Sequence, residues 1–525
     1  MPYLSISMST IVRLSCYFAV LVLLPAAPAA WARTAWLGGL GGETQHKGPP
    51  PAIYDLEIPV TMPPEIKRQV MAMYAMEADR RGGAVFVFWD KPDKALPAIP
   101  WLVALLGDQE LAVAKQGRIP VGMVSSRLLE ELGQPAVQPL MDALAQGPET
   151  HAQLMILRVL GKIGEAGSLE AIIKKSQFPP PPSEREKPSL VNIAPDLKRL
   201  KQEPPPPEVR AQAVEALLNF KDPRAAPALL AALDDPDPRV RAAAAKTLGQ
   251  RGDPQALSAL IAKGGDAEME VRREVIGALK RYQDRLAVEV FLAGLKDPDE
   301  QVRRLAAEAL GAVRDIRASQ PLLAAVGDPD ALVRRNAITS LQYYNTPEAV
   351  KPLAKALQDK DNAVRAQAAL VLGPIGLGPV SDPEAVAALV RAAKDVHPQV
   401  RRNAVLALKH VRGPQAMEAL LAACQDGFKP VRVHAVNNLG FNEDPRARNS
   451  LIQALGDPDA EVRQRAAEGL GRLKSQEAVK PLIDSLEDPE RRVREAAADA
   501  LQVITGWRYG MDQAGWRQWY QNQRQ

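Results

Sequence analysis

Aromatic residues make up only 5% of this 525-residue chain, and cysteine occurs twice. Few rings and abundant Ala and Leu disfavour a sheet-rich fold and suit helices packed through small side chains. Cys16 lies in an N-terminal apolar stretch, and Cys424 sits in "EALLAACQD", where it reads as a small core residue. A chain that loses its N-terminal stretch keeps one cysteine, which excludes an intramolecular disulfide. Histidine is also scarce. His46, His151, His397, His410 and His434 show no paired metal spacing. There is no Gly-rich phosphate loop and no nucleophile elbow. An excess of one charge is missing too, with 66 Lys and Arg against 62 Asp and Glu. Such a balance lacks the electrostatic footprint of a nucleic-acid binder. These absences predict no catalytic residues, no metal site, no cofactor and no nucleic-acid partner.

The first residues read as a secretory signal. Arg13 precedes "LSCYFAVLVLLPAAPAA", and Ala30, Trp31 and Ala32 supply a small-x-small cleavage site. The run is too short and too broken by proline to span a membrane. Residues 1–32 carry one Arg and no acid, so their removal lowers the formal charge from +4 to +3. The expectation is an exported, periplasmic or secreted protein with no stable membrane span after cleavage.

What the chain has is repetition. Val-Arg recurs at Val209, Val240, Val271, Val302, Val333, Val364, Val400, Val431, Val462 and Val493, with steps of 31 residues and a single step of 36. The long step carries "GPIGLGPVSDPEA" around Gly376. Leu stands eight residues after each Val, and Ala stands four after in every copy but the one with Val275. Offsets of 0, 4 and 8 make one face of an α-helix. Gly249, Gly311, Gly440 and Gly471 follow the Leu, where the helix is expected to end. Upstream lies a second apolar pattern, as in "EAVKPLAKAL", with Pro321, Pro352 or Pro481 inside it. Proline there is expected to remove a backbone donor and bend the helix. Many of the 46 prolines therefore belong to the repeat.

A proline-containing first helix, an Asp in the turn and Val-Arg opening the second helix resemble HEAT repeats, of the short type also found in phycobilisome lyases. The resemblance covers residues 209–505 and implies an all-α fold, an α-α superhelix of about twelve helical hairpins. Residues 65–175 carry weaker versions, such as Leu132-Gly133 and Leu160-Gly161. Residues 33–64 read as a loose Gly/Pro-rich leader, 176–208 as a Pro-rich insertion, and 506–525 as an aromatic cap holding Trp507, Trp516, Trp519 and Tyr520. The resemblance also implies two functional readings. One is a non-enzymatic protein-interaction scaffold in the cell envelope. The other is a tetrapyrrole or bilin lyase-like chaperone.

Asp recurs five residues before Val at Asp235, Asp266, Asp297, Asp328, Asp359, Asp395, Asp426, Asp457 and Asp488. Arg follows Val at Arg241, Arg272, Arg303, Arg334, Arg365, Arg401, Arg432, Arg463 and Arg494. One active site needs one set of residues, so a periodic pair points to a structural ladder. Asp is expected to accept helix-start N–H groups, and Arg to reach a neighbouring Asp or carbonyl. In HEAT arrays the second helix lines the concave side, so its variable positions are the candidate partner surface. Arg273, Arg304, Arg335 and Arg402 form one row, beside Asn336, Gln367, Asn403 and His434, with Tyr282, Tyr343 and Tyr344 at helix ends. That lining suits a polar or acidic protein or peptide. Oligomeric state is not legible in the sequence.

Overall fold

The computed structural model describes residues 53, 56–114, 117–177, 204–344, 346–373, 382–411 and 413–523. The signal-like stretch, most of the leader, residues 178–203 of the Pro-rich insertion and the addition around Gly376 lie outside the described residues. The chain divides into two compact units, 1–128 and 129–525.

In the first unit, helices Pro64–Met73 and Ala78–Phe86 pack together. A 3₁₀ turn, Pro92–Ala98, runs into helix Ile99–Ala104. The end of the leader is anchored, contrary to the sequence expectation. Ile53 and Met62 are buried, and the Tyr74 hydroxyl donates to the Leu56 carbonyl at 2.7 Å. The fold also departs locally from all-α. Leu111–Ala114 and Gly117–Pro120 form an antiparallel hairpin before helix Val121–Leu132. The hairpin occupies the turn between two helices, where other repeats have a few residues. Each strand is only four residues long, too short for a periodicity that separates strand from helix.

The second unit is an α-α array with no sheet among the described residues. Each first helix, such as Val350–Ala356, packs on its own second helix, here Asn362–Leu372. Second helices pack in series from Pro207–Ala216 to Arg491–Thr505. The Val, Ala and Leu that define the period are all at most 1% exposed. Each such Leu contributes roughly 1.5–3 kcal/mol by leaving water. Pro321, Pro352 and Pro481 fall at the third position of their helices. N–H groups in a first turn have no intrahelical acceptor, so a proline at this position costs no helix bond.

Gly440 stands at the end of helix Lys429–Leu439 as expected, but the other three glycines after Leu are not helix stops. Gly249, Gly311 and Gly471 lie inside helices that continue to Arg251, Val313 and Arg472. They set the distance between neighbouring second helices. A Cβ on Gly249 would overlap the Ala278 side chain and lie 2.6 Å from its Cα, and one on Gly471 would lie 3.0 Å from the Ala500 Cα. Gly249→Ala is expected to cost about 1–3 kcal/mol through overpacking, against a helix-propensity gain of at most ~1 kcal/mol. Gly277 has no atom within 4 Å of its would-be Cβ. Gly277→Ala should therefore stabilise by up to ~1 kcal/mol. Urea titration of both variants reads the difference, and equal effects would refute the close-contact role.

Helix Gln513–Asn522 closes the last repeat as a cap and packs on helix Val479–Asp484. Trp516 is fully buried, its indole N–H donates to the Gly510 carbonyl at 2.9 Å, and Tyr509 meets it edge-on.

Candidate interaction surface on the second helices

The ladder forms between repeats. The Arg210 guanidinium donates to both carboxylate oxygens of Asp235 at 2.8 and 2.7 Å. Arg241, Arg272, Arg303, Arg334, Arg365, Arg401, Arg432 and Arg463 pair likewise with Asp266, Asp297, Asp328, Asp359, Asp395, Asp426, Asp457 and Asp488. The same guanidiniums reach back to the carbonyl of their own repeat's Asp, as Arg272 does to Asp266 at 3.0 Å. Arg494 donates to the carbonyls of Asp488 and Pro489 and meets no Asp among the described residues.

Helix capping falls to a different residue than expected. Each ladder Asp accepts the N–H two residues on, within the turn, as Asp297 does from Asp299 at 2.9 Å. The helix start is capped by the second Asp of "DPD" or its equivalent. Asp237, Asp299, Asp330, Asp361 and Asp459 accept N–H groups of the first turn.

One rung lies where the sequence reading did not look. Arg81 is fully buried, donates to Asp108 at 2.6 and 3.1 Å, and reaches the Ala75 and Met76 carbonyls. This is the same geometry in the first unit, masked by Arg80 in place of Val and a spacing of 27 rather than 25. The ladder is not continuous between these rungs. Ser125 holds the Arg position, and its buried hydroxyl finds no hydrogen-bond partner among the described residues. Gln153 holds the next and imitates Arg by donating to the Pro148 carbonyl at 2.7 Å.

A second ladder ties the far ends of the second helices. Asn219 donates to the Gly161 carbonyl, Arg251 to Leu217, Tyr282 to Leu248 and Asp253, and Tyr344 to Leu310. Side chains of one repeat thus bond carbonyls at the end of the preceding helix, three of which, Leu217, Leu248 and Leu310, also accept a backbone N–H.

These bonds revise the candidate partner residues. Tyr344 is buried and Tyr282 is half-buried, both as carbonyl donors. Asn336 donates to the Arg304 carbonyl, and buried Asn403 to that of Ala366. Arg273 and Arg304 are bidentate partners of Asp299 and Asp330. Those bonds, made first by the guanidiniums, hold both carboxyls at about 2. Arg402 meets Asn403, and His434 is half-buried with its imidazole pushed down by burial and then by Arg402. Arg335 and Gln367 are half-buried on the same row. Tyr343 is 46% exposed, with the Arg314 guanidinium 4.3 Å over its ring.

The open surface lies further along the helices. A trough of about 980 Å³ crosses four successive second helices, Pro238–Arg251, Met269–Tyr282, Glu300–Val313 and Ala331–Leu341. Lys246, Gln250, Glu274, Arg281, Gln283, Glu308, Arg314 and Tyr343 line it, and Gly277, Ala278, Gly311 and Ala312 leave it open. Lys246 pairs with Glu215 and Lys280 with Glu308. Arg281 and Arg314 have no carboxylate partner among the described residues. Burial pushes the Glu274 carboxyl up. Exposed Phe441 carries a related stack, with Arg472 at 4.5 Å and Lys409 at 5.1 Å from its ring.

The model of HEAT repeats matches residues 194–268, 261–332, 319–381, 375–431 and 417–502. The chain belongs to the HEAT-repeat family. A search of curated proteins finds no match. Among solved structures, this HEAT array is similar to the Escherichia coli protein YibA, at 20% identity over 47% of this chain and 91% of that one, TM-score 0.38. It is similar to the CpcE–CpcF complex of phycocyanin lyase from Nostoc, at 21% identity over 43% and 91%, TM-score 0.28. It is also similar to Kap95p bound to RanGDP, at 13% identity over 84% and 66%, TM-score 0.46. None of these likenesses speaks to what this HEAT array binds.

Among the described residues no helix is long and apolar enough to cross a membrane, and no group of His, Cys, Asp and Glu could hold a metal. Cys424 is buried, and burial pushes its thiol up to about 12, too high for a reactive thiolate.

Proposed function

We propose that this HEAT protein is a non-enzymatic scaffold of the cell envelope that holds an extended segment of another exported protein along its second helices. The observation that carries the reading is the open trough over four consecutive second helices, with two arginines that have no carboxylate partner among the described residues. Most other polar groups of the repeat are consumed by the two ladders, so this surface is where binding chemistry is left over. An extended occupant fits because neighbouring helices lie ~10 Å apart and four of them set a run of ~30 Å. The charged lining suits a polypeptide better than the apolar macrocycle that a bilin-handling role requires. Export rests on Arg13, the apolar run and the Ala30-Trp31-Ala32 site.

The test places a photo-cross-linking residue at Ala312 in the trough and, separately, at Val396, which is 91% exposed elsewhere. The chain is expressed with its N-terminus intact. Adducts at Ala312, mapped by mass spectrometry to one segment of an exported protein and absent at Val396, are expected. Absence of any Ala312 adduct, or a visible absorbance band in the purified protein, would overturn the scaffold reading.

A further inference from the structure

We infer that Phe441, with Lys409 and Arg472 over its ring, is a docking point for a polypeptide that brings an acidic side chain next to an apolar one. None of the three lines the trough, so this point stands apart from the surface proposed above and does not depend on it. Phe441 lies ten residues after Val431, just beyond helix Lys429–Leu439, and is 57% exposed. Its cations come from the repeats on either side. Lys409 belongs to the repeat before, with its ammonium 5.1 Å from the ring centroid, and Arg472 to the repeat after, with its guanidinium at 4.5 Å. Both lie within the ~6 Å over which a ring attracts a cation. Three successive repeats thus build one exposed group. Tyr343, ten residues after Val333, also stands exposed with a guanidinium over its ring, that of Arg314.

The two cations are poorly neutralised from within the chain. Lys409 is exposed and makes no ion pair among the described residues. Glu468 stands 3.9 Å from the Arg472 guanidinium but accepts from Gln464 and Arg465, each at 2.9 Å. Arg472 donates to the Gly440 carbonyl at 3.4 Å, a long hydrogen bond. Exposed Glu443, two residues past the ring, makes no ion pair among the described residues. First-ladder arginines such as Arg272 and Arg303 are pushed up by their Asp partners. Arg472 is pushed down, first by burial, with Glu468 opposing and Arg465 reinforcing. A guanidinium partly withdrawn from water and short of a carboxylate gains most from one that arrives. Lys409 and Arg472, with Glu468 close to one of them, match the single charge of a carboxylate better than the nearly double charge of a phosphate. The exposed ring is apolar, so a Leu beside the acid leaves water against it.

The test reads binding of labelled peptides to the full chain by fluorescence anisotropy. One peptide holds Glu-Leu-Glu within a Gly-Ser frame. Three others replace both Glu by Gln, the Leu by Ser, or both Glu by phosphoserine. The Glu-Leu-Glu peptide should bind about tenfold tighter than the Gln peptide, the scale of a lost charged hydrogen bond, and weaken with salt. It should bind about threefold tighter than the Ser peptide. Lys409→Gln and Phe441→Ser should each lower its affinity about fivefold, with helicity unchanged because both side chains are exposed. Arg281→Ala, in the trough, should leave it unaltered. Equal affinity for the Glu and Gln peptides, unchanged affinity in both variants, or as large a loss in Arg281→Ala would overturn the inference. So would tighter binding of the phosphoserine peptide or of an oligothymidylate, which would make this a phosphate or nucleic-acid site.

Discussion

Asp235→Ala should cost the array about 3–5 kcal/mol, the usual penalty for orphaning one member of a buried ion pair. The side chains of Arg210 and Asp235 are only 3% and 2% exposed. Removing the carboxylate takes away both hydrogen bonds that Asp235 accepts from the buried Arg210 guanidinium, while the bond to the Pro205 carbonyl stays. It also removes the acceptor for the Asp237 N–H. Replacing both partners, as Arg210→Met with Asp235→Leu, should recover most of the loss, because no charge is then stranded. Stability in a stacked array is a sum of unit and neighbour terms. The damage should therefore appear first in hydrogen exchange over helices Pro207–Ala216 and Pro238–Arg251. A loss below about 1 kcal/mol with unchanged exchange there would show that the ladder does not hold the repeats together.

Stability should be level from neutral pH down to about 4 and then fall steeply towards pH 2. Asp299 and Asp330 are held at about 2, chiefly by the Arg273 and Arg304 guanidiniums. In the unfolded chain both return to about 3.9. A depressed folded value stabilises above the unfolded one and is lost as pH falls through the folded one. Each of these two contributes on the order of 2 kcal/mol at neutral pH. Asp426 is lowered in the same direction, first by Arg401. For Asp266, Asp297, Asp359, Asp395 and Asp488, burial works upward, and the paired Arg and a backbone N–H outweigh it. Urea midpoints across pH 7 to 2 check the shape. A decline already complete between pH 7 and 5, or none by pH 2, would contradict the assignment of these pairs.

The repeat was legible because burial is strict. Val, Ala and Leu at fixed offsets can only be one helix face, and the Asp–Arg ladder follows from the same register. What escaped were choices among equivalent positions. Two Asp residues flank Pro in "DPD", and spacing alone does not say which of them caps the helix. Arg273 and Arg304 look free in sequence, yet each meets the capping Asp of the next repeat. Tyr282 and Tyr344 read as surface aromatics until the preceding helix places carbonyls against their hydroxyls. Of the trough lining, Tyr343 is among the sequence candidates, and the rest escaped because offsets of two and three from Val were weighed beside the helix-end tyrosines. Positions six and ten from Val, which hold Lys246, Glu308, Arg281 and Tyr343, share that face at helical periodicity. The Arg81 rung was hidden by a changed neighbour and a two-residue slip.

Each rung of the ladder hands its guanidinium to the repeat that follows, a rule that by itself has no last member. Arg494 meets no Asp among the described residues, and Trp516 of helix Gln513–Asn522 is buried on the final repeat. A further repeat, or a second copy arriving end-on, would have to displace that helix before it could join. The chain thus supplies its own cover for this edge of the last repeat.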